Sequence, residues 1–230
     1  MPTSHYHRRH LARFGTIARG QPDLADAFFA YYGAVFQPAA LSAREKSLAA
    51  LAVAHVVQCP YCIDAYTRGS LEAGADLSQM TEAVHAASAV RSESVLAYGV
   101  QMSGQAGRLS MDGPTATVSQ EYFDRNHSKE RTSLADPAPG LADAQRAWME
   151  AVFTEGALAS REKHLIALAC AHAIQCPYQI EAHTLAAKKS GAELPELTEA
   201  AHVACAIRGG AALVHGIQMM EQIEEEETER

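Results

Sequence analysis

Leu41-Ser-Ala-Arg-Glu-Lys46 returns as Leu158-Ala-Ser-Arg-Glu-Lys163, and His55-Val-Val-Gln-Cys-Pro-Tyr61 returns as His172-Ala-Ile-Gln-Cys-Pro-Tyr178, both at an offset of 117 residues. The offset holds without a gap from Leu24/Leu141 to Gln101-Met102/Gln218-Met219. Self-similarity at one fixed spacing marks a duplicated structural unit, here of about 80 residues. The chain therefore divides into an N-terminal arm (1–23), repeat 1 (24–102), a connector (103–140), repeat 2 (141–220) and an acidic tail (221–230).

Apolar residues recur at spacings of three and four over 24–36, 43–57, 61–73 and 79–102, with abundant Ala and Leu and no hairpin signal, which predicts an all-α tandem repeat. Ser42 or Ala43 starts the second helix, and Gly74 and Gly191 suit the left-handed stop of the third. Arg91 and Arg208 mark a break in the fourth, reinforced in repeat 2 by Gly209-Gly210. The connector is polar and punctuated by Gly and Pro, with room for a short helix at 118–126. The arm reads as unstructured, and the tail as a solvated, fraying helix end.

The 230 residues carry a formal net charge of −8, so no basic surface is available for nucleic acid or anionic lipid. The longest apolar stretches, near 47–57 and 164–174, fall short of the ~20 residues that span a bilayer. A cytoplasmic protein without nucleic-acid or membrane partners is expected. Five cysteines, an odd number, do not suit the disulfide framework of a small secreted domain.

Cys59-Pro60-Tyr61-Cys62 is the one C-x-x-C pair. Pro60 favours the first position of a helix, which places Cys59 at the N-cap and Cys62 at the third helical residue. The helix terminus lowers a thiolate's pKa there, and the spacing lets the sulfurs meet as a reducible disulfide. Cys176 keeps the N-cap place in repeat 2, but Gln179 stands where a second thiol would be. His55, four residues before Cys59, and Tyr66, four after Cys62, are candidate proton donors. His85 and His202 occur in both copies and read as structural. His5, His7 and His10 read as part of the arm rather than as a metal site.

The run from Leu48 to Thr67, with its long helix ending in Cys-Pro-Tyr-Cys and a further helix behind it, resembles the carboxymuconolactone decarboxylase and alkylhydroperoxidase D superfamily. Within it, the run Cys59-Pro-Tyr-Cys-Ile-Asp-Ala-Tyr66 is most similar to the peroxidase-like proteins associated with arsenosugar biosynthesis. The resemblance implies an all-helical fold, thiol-based reduction of hydroperoxides or exchange of disulfides, and no organic cofactor or metal. It makes Cys62 the attacking sulfur and Cys59 the resolving one, whereas helix-terminus physics alone gives the N-cap sulfur, Cys59, the lower pKa. The family's His falls at Tyr66 in repeat 1 and at His183 in repeat 2, and its Glu falls at Ser47 and His164. Glu45 and Glu162, two residues earlier, lie on another helical face. The site expected by resemblance is thus Cys62, Cys59, His55, Tyr66 and Glu45, with repeat 2 mainly scaffold.

The partners it implies are a small hydroperoxide or disulfide, a dithiol or thioredoxin-like reductant, and copies of the same chain, as a homotrimer. Three other classes stay open at this point. One is a non-catalytic soft-metal or arsenite-binding protein that uses the thiols, another a cofactor-free decarboxylase or isomerase that uses His and Glu, and the third a purely structural protein with an inert cysteine pair.

Overall fold

The computed structural model describes residues 6–109 and 132–229, all helices and connections with no strand among them. The helix expected at 118–126 lies outside the described residues. Repeat 1 contains α2 (Pro22–Phe36), α3 (Ala43–Val56), α4 (Pro60–Glu72) and α5 (Leu77–Leu109). Repeat 2 contains α7 (Pro139–Phe153), α8 (Ser160–Ala173), α9 (Pro177–Lys189), α10 (Leu194–His215) and α11 (Ile217–Glu229). A short α1 (Arg8–Ala12) and a 3-10 helix (Phe14–Arg19) precede them, and α6 (Thr132–Ala135) leads into α7. The helix starts of the two repeats match at the 117-residue offset.

Local chemistry sets these boundaries as the sequence predicts. Ser42 caps α3 by accepting the Glu45 N–H, while the Glu45 carboxylate accepts the Ser42 N–H in return. Gly74 and Gly191 hold positive φ at the ends of α4 and α9. The fourth helix differs from expectation. Neither Arg91 nor Arg208 breaks it, because the Arg91 guanidinium donates to the Val56 carbonyl at the end of α3 (3.0 Å) while its backbone stays helical. Gly209 and Gly210 also stay helical, and they admit the rings of Phe28 and Tyr32. The break falls at Gly216, where a Cβ would come within 2.8 Å of the Ile17 side chain.

The fully buried faces of α3 and α8 form the centre of the core, from Leu48 to Ala54 and from Leu165 to Ala171. Small Ala side chains let α3 pack against α4, α5, α8 and α10 at once. Leu194–Glu229 is long and apolar enough to cross a membrane by length and composition, a segment the reading of apolar stretches passes over. Its apolar positions instead line the core, with Ala200, Val203, Ala204, Ala206 and Ile207 buried.

The halves are joined by interactions that occur twice, with the roles of the repeats exchanged. Lys46 and Lys163 are each only 2% exposed. Lys46 Nζ donates to the carbonyls of Val35 (2.9 Å) and Gln37 (2.6 Å) and pairs with Glu199 (3.0 Å). Lys163 Nζ donates to the Thr154 carbonyl (2.6 Å) and pairs with Glu82 (3.0 Å). Glu199 accepts the N–H groups of Ala40 and Leu41, and Glu82 those of Ala157 and Leu158. Arg44 pairs with Glu162 and Arg161 with Glu45, again in exchange. Such reciprocity is what a two-fold relation between the repeats requires.

Both ends of the chain depart from expectation. The arm is ordered from α1 onward, with His10 buried. The tail is not simply solvated: Glu221 and Glu224 pair with Arg13, and Glu224 and Glu227 with Arg19. The connector is shorter than read, since α5 runs to Leu109 and α7 begins at Pro139.

Truncating Lys46 to Met leaves Glu199 and two carbonyls without their cation, and is expected to cost about 3–5 kcal/mol in urea unfolding. Acid sensitivity follows from the same pairs. Burial pushes the Glu82 and Glu199 carboxyls up, but the backbone N–H groups and the lysines more than reverse this and hold both below their ordinary value of 4.5. A depressed folded pKa stabilises above the unfolded value, and that stability disappears as pH falls through the folded one. Urea midpoints of the wild type should therefore drop steeply below about pH 4.5, and less steeply in Glu82→Gln/Glu199→Gln.

Candidate active site

Cys59 ends one helix and begins the next. Its N–H donates to the Ala54 carbonyl (3.2 Å) while the Gln58 N–H donates to His55 (3.2 Å), the paired bonds that close the C-terminus of α3. This closure needs a left-handed residue, and Gln58 fills that place at φ 57° where glycine is the usual choice. Gln175 repeats it at φ 57°. A side chain in this conformation costs of order 1–2 kcal/mol. The Cys59 sulfur then caps α4, accepting the Cys62 N–H at 3.4 Å, as the N-cap reading of Cys-Pro-Tyr-Cys predicts.

Both thiols are free and buried, Cys59 at 1% and Cys62 at 8% exposure. They lie in a small apolar cluster with Ala54, Tyr61, Ala211, Val214 and Ile217, packed under Leu11 and Phe14. The arm, both repeats and the start of α11 all contribute to it. The Cys62 S–H is the largest stabiliser of the Cys59 thiolate. Its backbone N–H and the His215 side chain add to this, and together they outweigh desolvation and pull Cys59 down to about 6. The same charge, with burial, drives Cys62 strongly upward. One proton is thus shared by two sulfurs, with the negative charge on Cys59.

The two sulfurs differ in access. An apolar cavity of about 200 Å³, bounded by Phe14, Phe29, Tyr32, Ile207 and Val214, opens onto Cys62, Tyr61 and Tyr66 but not Cys59. Burial, and then the Cys62 charge, raise the Tyr32 phenol. The Tyr66 hydroxyl is buried without a hydrogen-bond partner, and its ring stacks on Phe36 at 5.6 Å.

The structure brings Cys59, Cys62 and Tyr66 together. His55 instead turns its Nδ1 to the Leu51 carbonyl (2.8 Å), as His172 does to Leu168 (3.0 Å). Glu45 sits in the first turn of α3, at the opposite end from the thiols. At 1.5 Å per residue that separation is about 15–20 Å, and its carboxylate is taken by Ser42 and Arg161.

Residues that reasoning along the sequence misses come from elsewhere in the chain. His215, at the end of α10, lies edge-on to Tyr61 (5.4 Å) and Tyr6 (5.6 Å) and helps draw the Cys59 thiol down. The Tyr61 hydroxyl meets His10 Nδ1 at 2.7 Å, and His10 Nε2 faces Glu221 at 3.2 Å. The sequence signal that reaches His215 is the 117-residue offset alone, which pairs it with Tyr98, a residue in the interior of α5 rather than at a helix end.

In repeat 2 the lone Cys176 faces Tyr98, and Gln179 occupies the place of Cys62. His183 and His164 meet there at 3.2 Å, with Phe153 stacked on His164. Burial, and then the neighbouring His164, push His183 down to about 3, so it is neutral near pH 7.

Residues 22–98 and 139–222 match the carboxymuconolactone decarboxylase family, one match per repeat. The uncharacterized protein 4 in the cox locus of Paracoccus denitrificans is 39% identical over 87 residues, covering 38% of this chain and 78% of that protein. The crystal structure of a Burkholderia xenovorans protein described as a gamma-carboxymuconolactone decarboxylase subunit covers 96% of both chains at a TM-score of 0.72. At 17% identity this is a likeness of fold.

Thiolate absorbance at 240 nm tests the proton sharing. Replacing Cys62 with Ala removes the S–H donor but keeps the backbone N–H, and should raise the Cys59 midpoint above the wild-type value of about 6. Cys62→Ser, whose hydroxyl can still donate, should raise it less.

Proposed function

The chain belongs to the carboxymuconolactone decarboxylase family as a tandem duplication, and on that footing we propose that it is a thiol-dependent hydroperoxidase or dithiol–disulfide oxidoreductase working through Cys59 and Cys62. The observation that carries this reading is the division of labour between the sulfurs. Cys62 faces an apolar cavity, and the Cys59 sulfur behind it accepts the Cys62 N–H at 3.4 Å, with its thiol drawn down toward the thiolate.

With a hydroperoxide in the cavity, the shared proton shifts from Cys62 to Cys59, the Cys62 thiolate so formed attacks the terminal oxygen, and the O–O bond breaks. The shared proton then passes from Cys59 to the departing alkoxide, giving an alcohol and a sulfenic acid. The Cys59 thiolate then attacks the Cys62 sulfur, and the disulfide forms as hydroxide departs. That hydroxide takes up the proton that the pair had lost at the outset and leaves as water. Two thiols and one hydroperoxide thus yield one disulfide, one alcohol and one water. An external dithiol of thioredoxin-like type restores the pair by exchange. The Tyr66 hydroxyl, buried without a partner on a residue that lines the cavity, supports a role as donor to the leaving oxygen.

Five free cysteines fit a reducing compartment such as the cytoplasm. Exposed Leu24 and Leu141, and Leu77 and Leu194, recur at equivalent positions of the two repeats and favour assembly of several chains, of which a homotrimer is expected.

One equivalent of cumene hydroperoxide added to the reduced protein should remove about two mass units. Cys59→Ser should instead trap a sulfenic acid on Cys62 that dimedone captures, whereas Cys62→Ser should react no faster than free cysteine. Thiols unreactive in the wild type would overturn the reading. Loss of thiols without turnover on binding one trivalent arsenical would favour a soft-ion binder. An activity on a lactone carboxylate that survives loss of both cysteines would favour a decarboxylase.

A further inference from the structure

We propose that Gly210, on the long helix of repeat 2, sets which hydroperoxides reach Cys62: its missing side chain leaves the room in which a compact, uncharged apolar group of the substrate sits. The reaction itself rests on the dithiol reading, to which Gly210 adds the selection of substrate.

The cavity that opens onto Cys62 is built from both repeats and the arm. Phe14 comes from the arm, Phe29 and Tyr32 from α2, Tyr66 from α4, and Ile207 and Gly210 from α10. No residue lining it is charged, and Tyr66 buries there a hydroxyl without a hydrogen-bond partner. A buried hydroxyl left unmet costs free energy that a bound peroxide oxygen recovers. An apolar cavity of about 150 Å³ holds one benzene ring. At about 200 Å³, this one takes a group of ring size with the peroxide oxygens beside it.

Gly210 is buried in the interior of α10, where glycine weakens a helix relative to alanine. Packing does not ask for it. A Cβ added at Gly210 would stand 3.6 Å from Phe28 and 3.7 Å from Tyr32, which is ordinary contact. One added at Gly209 would crowd Phe28 at 3.3 Å. The Phe28 ring therefore accounts for Gly209, and the cavity accounts for Gly210.

The other half of the molecule supplies an internal comparison. At the 117-residue offset Gly210 corresponds to Glu93, Phe29 to Arg146 and Tyr32 to Met149. Those three line a different cavity, of about 730 Å³, against α6 and α7. A carboxylate and a guanidinium there stand in the places of a glycine and a phenyl ring. The uncharged enclosure belongs to the half with two thiols, and the half in which Gln179 replaces the second thiol presents charge at the equivalent positions. Repeat 2 thus contributes more than scaffold, because its long helix closes the cavity of repeat 1.

The test uses the full chain with Gly210→Ala and Gly210→Leu. Disulfide formation is followed by thiol count with cumene hydroperoxide and with hydrogen peroxide, and the quantity read is the ratio of the two second-order rates. That ratio should fall about threefold in Gly210→Ala and at least about tenfold in Gly210→Leu, whose longer side chain takes up cavity volume. Gly210→Ala should be no less stable in urea than the wild type, so it carries the test if Gly210→Leu does not fold. A substitution that merely disturbs the fold would slow both peroxides together. A ratio unmoved in the folded variants overturns the proposal and leaves the dithiol reading intact. If neither peroxide oxidises the wild type, that reading fails, and the cavity is tested without it. Bromoacetanilide and bromoacetamide carry the same reactive carbon with and without a ring. The ratio of their alkylation rates at Cys62, read from the mass of its peptide, should fall in the same order, and an unmoved ratio overturns the role of Gly210 as well.

Discussion

Two buried lysines hold the molecule together by reaching into the opposite repeat. Lys46 and Lys163 each complete carbonyls left open at the end of α2 or α7, and each is neutralised by a glutamate on the long helix of the other repeat. Those glutamates in turn satisfy backbone N–H groups at the entry to α3 and α8. A buried ammonium is tolerable only when every donor and its charge are met, so the position of each long helix is fixed relative to the other half. Everything at the far end of α10, including His215, inherits its place from that constraint.

The dithiol depends on the same geometry from the other side. A left-handed Gln58 lets Cys59 close α3 and cap α4 in a single turn, which directs both sulfurs toward the end of α10. Repeat 2 builds the identical turn at Gln175 and Cys176 yet lacks the second thiol. Duplication has thus kept the backbone device in both halves, while the side chains that could use it have diverged. His164 and His183 meet where repeat 1 has Ser47 and Tyr66, and the paired sulfurs of repeat 1 have no counterpart in repeat 2.

Much of this was legible in the sequence. Periodicity and the 117-residue offset gave the helices and their equivalence, and Pro60 gave the register of the two cysteines. The errors have physical causes. Arg91 and Arg208 read as breaks because each is a charge within an apolar helical run, but both stay helical, and the Arg91 guanidinium reaches a carbonyl acceptor on α3. The arm and tail read as solvated because neither is apolar alone; Arg13 and Arg19 against Glu221, Glu224 and Glu227 join them. His55 entered by its spacing from Cys59 and Glu45 by the resemblance; in the fold His55 Nδ1 meets the Leu51 carbonyl and Glu45 pairs with Arg161 of the other repeat.

The sequence by itself determined the local elements: helices with their caps, two copies of one unit, and a cysteine pair seated in the first turn of a helix. These follow from interactions over four residues or fewer, and from a repeat that any alignment of the chain with itself exposes. Tertiary structure alone decided which imidazole lies edge-on to Tyr61, which sulfur faces a cavity, and that the two ends of the chain cover the site. Those contacts join residues more than a hundred positions apart, such as Tyr61 with His215 and His10 with Glu221. Their geometry is set by how the long helix of each repeat packs against both halves, a packing outcome that no local pattern encodes.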